Sequence, residues 1–258
     1  MLIGAISGDI AGSSHEWDPV QTYDFELFTS KNHFTDDTVM TLAVASWLLK
    51  DRTLDTLIKE MQFFGNRYPH AGYGGNFVKW LQQDYPDPYN SFGNGSAMRV
   101  SPCGWVANSL EEAESLAKQS AIVSHNHSEG VKGAQSVASA IYLARIGETK
   151  QNIKSYIMNT YKYDLDRTIN DIKKLGYKFD VTCQGSVPEA IIAFLESDNF
   201  ESTLRNAVYL GGDSDTQAAI AGSIAEAFYK PTNYDFVAYE YLDNFLLSVY
   251  NKFNNTFE

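Results

Sequence analysis

Apolar residues recur at helical spacing along most of the chain, most clearly in SEGVKGAQSVASAIYLARIG. There Val131, Ala134, Ala138, Ile141, Tyr142 and Arg145 share one helical face, with Arg145 expected at its exposed end. The same reading places helices around residues 2–13, 37–50, 53–65, 97–108, 111–123, 149–160, 165–175, 187–196, 201–208, 216–229 and 234–251. One contrary piece, YKFDVT from Tyr177 to Thr182, alternates apolar and polar residues. Its length allows only a short strand or an extended connection. The expectation is an all-α, multi-helix fold forming a single domain over residues 1–258.

Small residues single out two of these helices. Gly4, Gly8 and Gly12 recur at i, i+4 and i+8, and Ala218, Ala221, Gly222 and Ala225 mark the helix near the C-terminus. A glycine inside a helix costs about 1 kcal/mol relative to alanine, so three in one short helix predict close backbone packing in a buried centre. Glycine, proline, asparagine and aromatic residues concentrate between Tyr68 and Val100. That stretch is too aromatic for a flexible linker and reads as functional loops. Neither an internal repeat nor a low-complexity tract is present.

Composition narrows the function classes. With 258 residues and 44% hydrophobic content, the chain has ample material for a packed core. A formal net charge of −12 opposes bulk attraction to nucleic acid or to an anionic membrane surface. Cys103 and Cys183 belong to no zinc-type pattern, and a reduced, cytoplasmic setting is the default. The N-terminal MLIGAISGDIAGSS lacks a basic start and is interrupted by Asp9, so it reads as a buried helix of the mature protein rather than a leader. No run approaches the roughly 20 apolar residues that span a bilayer. A soluble monomer is expected.

The candidate chemistry lies at helix starts. Thr35, Asp36 and Asp37 open one apolar helical run, and Asp213, Asp215 and Thr216 open another after two glycines. Helix capping explains one good acceptor per helix, with negative charge favoured by the helix dipole. Two Asp and a Thr at each start also suit a hard cation, which takes carboxylate, hydroxyl and water oxygens. Both readings stand on the residues alone. The stretch NSFGNGSAMR, from Asn90 to Arg99, combines glycines that admit close backbone approach with a helix start that offers N–H groups to an anion. A simple glycine turn with a cap is its plain alternative. His125, with His127 two positions on, suits a polar ligand contact or loop capping better than transition-metal ligation, since no other imidazole or thiolate supports them. Glu16 follows the glycine-rich helix, as a solvated carboxylate or as part of a loop beside a metal site.

In order, GAISGDIAGSSHE, FTDDTVM, HAGYGGNF, SFGNGSAMRVSP, SHNHSEGVKGA and GGDSDTQAAIAGSIAEAFY resemble the motifs of the ADP-ribosylglycohydrolase family, from about Leu2 to Tyr229. The resemblance implies an all-α enzyme that uses two Mg²⁺ ions, with Mn²⁺ in some relatives, to release ADP-ribose from a modified target. It implies Glu16, Thr35, Asp36, Asp37, Asp213, Asp215 and Thr216 as metal ligands, with Glu16, Asp36 and Asp215 carrying catalysis. It implies that Ser91, Phe92, Gly93, Asn94 and Gly95 hold the diphosphate and stack near the adenosine, that His125 contacts ADP-ribose, and that Gly72, Tyr73 and Gly74 line the ribose side. Arginine-linked ADP-ribose on protein is the favoured substrate, because that activity is common in the family, ahead of serine- and nucleobase-linked forms. His70 and Ala71 depart from relatives that place a charged residue before GYG, which bears on the leaving-group side. A noncatalytic ADP-ribose binder or structural relative is the alternative, and attack on a phosphoanhydride a third reading.

Overall fold

Fifteen helices and no β-strand form among the described residues, 1–257, of the computed structural model. In chain order they are α1 (Ile3–Ser13), α2 (Asp36–Leu48), α3 (Leu54–Arg67), α4 (Gly75–Leu81), α5 (Gly95–Met98), α6 (Ser101–Val106), α7 (Leu110–Ile122) and α8 (Ser128–Arg145). They continue as α9 (Lys150–Tyr161), α10 (Ile169–Lys174), α11 (Cys183–Leu195), α12 (Phe200–Leu210), α13 (Ser214–Tyr229), α14 (Asp235–Tyr241) and α15 (Asn244–Phe257). Local chemistry sets many of the starts: Thr53, Ser109, Thr149 and Thr182 each accept the backbone N–H three residues on.

At the centre, α1 packs along α13 at backbone contact. A Cβ at Gly8 would collide with the carbonyl of Ala218, one at Gly4 with that of Gly222, and one at Gly12 with the backbone of Asp215. The glycine spacing thus has its predicted consequence. Every residue of α1 is buried, and α13 is buried from Ser214 to Ala227, with α8, α11 and α12 packed around it. One end of this helix pair serves the site, where the C-terminus of α1 meets the N-terminus of α13.

Several predicted elements change shape. The helix expected over 97–108 divides into α5 and α6, because Pro102 in the first turn of α6 has no N–H to continue a helix through it. The helix expected over 234–251 divides at Asp243, whose carboxylate accepts the N–H groups of Phe245 at 3.0 Å and Leu246 at 2.9 Å. Within the stretch read as loop, α4 forms behind Gly74. A capping box at Thr168 and Asp171 starts α10 later than expected, and Thr182 starts α11 earlier. Arg145 is not an exposed end: it is half-buried and donates to the carbonyls of Trp105 and Ala107, where α6 ends.

Tyr177–Thr182 runs as an extended connection whose only ladder contact is an isolated antiparallel bridge between Gly93 and Thr182. Asn94 N donates to Val181 O at 2.8 Å and Cys183 N to Phe92 O at 2.9 Å. These bonds fasten the SFGNG loop to the entry of α11, beside the start of α13. No described helix is long and apolar enough to cross a membrane.

Candidate active site

The starts of α2 and α13 meet as the twin clusters predict, and a further carboxylate, Asp9, joins their four from α1. Gly211 and Gly212, with φ of 77° and 82°, turn the chain sharply out of α12 so that Asp213 and Asp215 face α2. Asp9 is wholly buried and accepts from Thr35 N at 2.9 Å, Thr35 Oγ1 at 2.7 Å and Thr38 N at 3.0 Å, so it caps α2 from another helix. Thr216 Oγ1 donates to Asp37 Oδ2 at 3.1 Å, closing the contact between the two helix starts.

Carboxylate oxygens of Asp9, Asp37 and Asp215 lie within 4.8 Å of one another, and so do those of Glu16, Asp213 and Asp215. The two groups share Asp215. Burial, followed by the charge of Asp215, pushes Asp9 up to about 6 and Glu16 up to about 7, and holds Asp36, Asp37 and Asp213 well above the usual carboxylate range. Burial raises Asp215 as well. So many carboxylates out of water require protons or a cation. The donor set is all oxygen, and Asp37 Oδ1 is buried with no hydrogen-bond partner, so these residues fit a hard cation such as Mg²⁺ or Mn²⁺. Capping and ion holding are compatible here: Thr35 caps α2 by accepting from Asp37 N at 3.3 Å while its hydroxyl proton goes to Asp9.

A cleft of about 530 Å³ leads from this acidic end to the glycine loop. Glu16, half-buried on the irregular segment after α1, and Asp36, half-buried at the start of α2, both line it. Asp36 N donates to Ala71 O at 2.7 Å, which draws the Gly72–Gly74 segment to the wall, and Gly72 adopts φ +110° there. Opposite, Ser91, Gly93, Asn94, Gly95 and His125 form the far wall. Asn94 joins the two ends, its amide donating to Asp213 Oδ2 at 2.6 Å and to Ser186 Oγ at 3.2 Å.

Two residues expected in the site do not line the cleft. Tyr73 turns inward against Phe77, ring centroids 5.7 Å apart, and Phe92 faces outward with its ring 5.3 Å from that of His127. His127 Nδ1 accepts from Glu129 N at 3.1 Å and so caps α8. Others were not read as site residues from the sequence. Asp9 had a signal, a charge within an otherwise apolar and small-residue helix, and Arg99 closes the NSFGNGSAMR stretch. Trp17 and Phe179 are exposed at the cleft with centroids 4.9 Å apart; no motif marks Trp17, and the alternation around Phe179 points only to an extended segment.

Comparison with known proteins identifies the family and the fold. The sequence profile of the ADP-ribosylglycohydrolase family matches residues 1–233. ADP-ribosylhydrolase ARH3 of Homo sapiens is 27% identical, with 88% of this chain and 84% of the relative aligned. ADP-ribosylarginine hydrolase Tri1 of Pseudomonas putida is also 27% identical, over 88% of this chain and 69% of the relative. A solved ADP-ribosylglycohydrolase-related protein complex superposes with a TM-score of 0.71 at 22% identity, covering 97% of this chain and 95% of that one, which shows the shared all-α fold. The chain belongs to the ADP-ribosylglycohydrolase family and is a glycohydrolase of ADP-ribosylated substrates.

Proposed function

We propose that the cleft hydrolyses the glycosidic bond between ADP-ribose and an arginine side chain of a modified protein, with two Mg²⁺ ions, replaceable by Mn²⁺, at its acidic end. The observation that carries this reading is the pair of carboxylate groups meeting at Asp215, set at one end of a cleft whose other wall is a glycine loop. Asp37, Asp213, Asp215 and Glu16 would hold the ions, with Asp36, Thr35 and Thr216 supplying further oxygens. Bound cations would grip the vicinal hydroxyls of the ribose and acidify a water. Asp9 keeps Thr35 and the first turn of α2 in place. Glu16 takes the proton of the attacking water and returns it to the departing guanidine nitrogen as the glycosidic bond breaks, a task suited to a carboxylate that stands on the cleft wall beside Asp213 and Asp215. Gly93 and Gly95 admit the diphosphate close to the backbone, and His125 contacts it from behind the loop.

Arginine is favoured over serine or a nucleobase on two grounds. One relative bears the name ADP-ribosylarginine hydrolase. Trp17 and Phe179 also offer exposed π-faces at the cleft, which suit a guanidinium. The test is mass-spectrometric release of ADP-ribose from arginine-, serine- and nucleobase-linked substrates, each with Mg²⁺ and with EDTA. Release that needs Mg²⁺ and is fastest from arginine is expected. No release from any linkage despite ADP-ribose binding would make the chain a binder, and formation of AMP with ribose 5-phosphate would place the attack on the phosphoanhydride.

A further inference from the structure

Arg99 is a buried cation with an unusual set of partners. It is 1% exposed and forms no ion pair with any described carboxylate. Its guanidinium donates instead to Gly95 O at 3.1 Å, Ser120 O at 2.7 Å and Ser124 Oγ at 2.9 Å. Ser120 lies in the last turn of α7, where the negative end of the helix dipole favours a cation. Ser124 Oγ also lies 2.8 Å from His125 Nδ1.

We propose that Arg99 and Ser124 are positioning residues that fix His125 as the neutral tautomer protonated at Nε2, so that it presents an N–H donor to the glycine-loop wall. The direction of the chain follows from a count of protons. Arginine has donors only, so Ser124 Oγ must accept from Arg99. The hydroxyl has one proton of its own, Ser124 is wholly buried, and its only acceptor is His125 Nδ1. Reversing that bond would leave the serine proton buried without a partner, which is unfavourable. A neutral ring accepting at Nδ1 carries its proton at Nε2. Nε2 faces the loop: Cβ atoms at Gly95 and Gly93 would lie 3.2 Å and 3.6 Å from it. Burial and the neighbouring Arg99 disfavour the charged ring, in agreement with this assignment.

The consequence for recognition rests on the reading of the cleft as an ADP-ribose site; the tautomer does not. The experiment is therefore a long-range ¹H–¹⁵N spectrum of the histidine ring nitrogens in the metal-free full chain, with His125 assigned by its loss in His125→Gln, alongside ADP-ribose affinity. In the unsubstituted chain His125 should show protonated Nε2 and unprotonated Nδ1. Ser124→Ala should mix or invert the two signals and weaken ADP-ribose binding about ten-fold, the scale of one lost hydrogen bond to a charged ligand. Ser124→Thr, which restores the hydroxyl, should restore the signals. Protonated Nδ1 in the unsubstituted chain, or ring signals unmoved by Ser124→Ala, would overturn the proposal. A merely structural serine would lower Tm without shifting the ring. Absence of ADP-ribose binding with the expected spectrum would instead count against the proposed site.

Discussion

The two ends of the cleft solve opposite electrostatic problems. At the acidic end, carboxylates from α1, α2, α13 and the segment bearing Glu16 crowd into a buried space, and among the described residues none of them forms a salt bridge. At the glycine-loop end, one arginine is buried without a carboxylate and is held by carbonyls and a serine. Each end is unbalanced by itself, one toward cations and the other toward anions. In the proposed reading, a ligand that carries a cation-binding diol at one end and a diphosphate at the other would satisfy both. Asn94, bonded to Asp213 from the glycine loop, keeps the two ends in register.

The most severe break in this arrangement is expected from Asp215→Asn, because both carboxylate groups use that residue. Release of ADP-ribose should fall by about 10³-fold or more, with the far-UV circular dichroism of the folded chain retained. Asp9→Asn sharpens the comparison differently. Its amide would oppose donors that now point at a carboxylate, so both the start of α2 and the acidic cluster suffer. Activity should fall about 10- to 100-fold and stability by about 1–3 kcal/mol, measured by denaturant titration.

Asp9 also shows what the sequence conveyed and what it withheld. Thr35, Asp37, Asp213 and Thr216 were legible because each cluster sits at a helix start, and the two indeed meet through Thr216 and Asp37. Gly8 was legible because three glycines at helical spacing need a reason, and the reason is the backbone of Ala218. Asp9 was seen only as an interruption of an apolar run, since nothing local tells which distant N–H groups a buried carboxylate will cap. The inward turn of Tyr73 was hidden for a similar cause: GYG reports flexibility of the backbone, not the rotamer of the ring between the glycines. Breaks at Pro102 and Asp243 were written in residue types that end or start helices, but continuous apolar periodicity masked them. Arg99 and Trp17 required the assembled cleft to acquire meaning.

The smallest expected effect concerns pH. In the metal-free chain Asp9 is pushed up to about 6 and Glu16 up to about 7, so the folded state binds more protons than the unfolded one. Their stabilising contribution is present below the ordinary carboxylate range and is lost as pH rises through 6 and 7. Metal-free Tm should therefore decline from pH 5 to pH 8. Saturating Mg²⁺ should raise Tm by about 5 °C at pH 7.5 and by less at pH 5, as calorimetric scans would show. A Tm indifferent to Mg²⁺ at both pH values would remove the cation from the account of the acidic end.

The most direct test counts ions. Calorimetric titration of Mn²⁺ into the metal-free chain, in the presence of ADP-ribose, should give two ions per chain, reduced to one or none by Asp215→Asn. No binding, or unchanged stoichiometry in the variant, would contradict the claim that the carboxylates meeting at Asp215 form a two-ion centre.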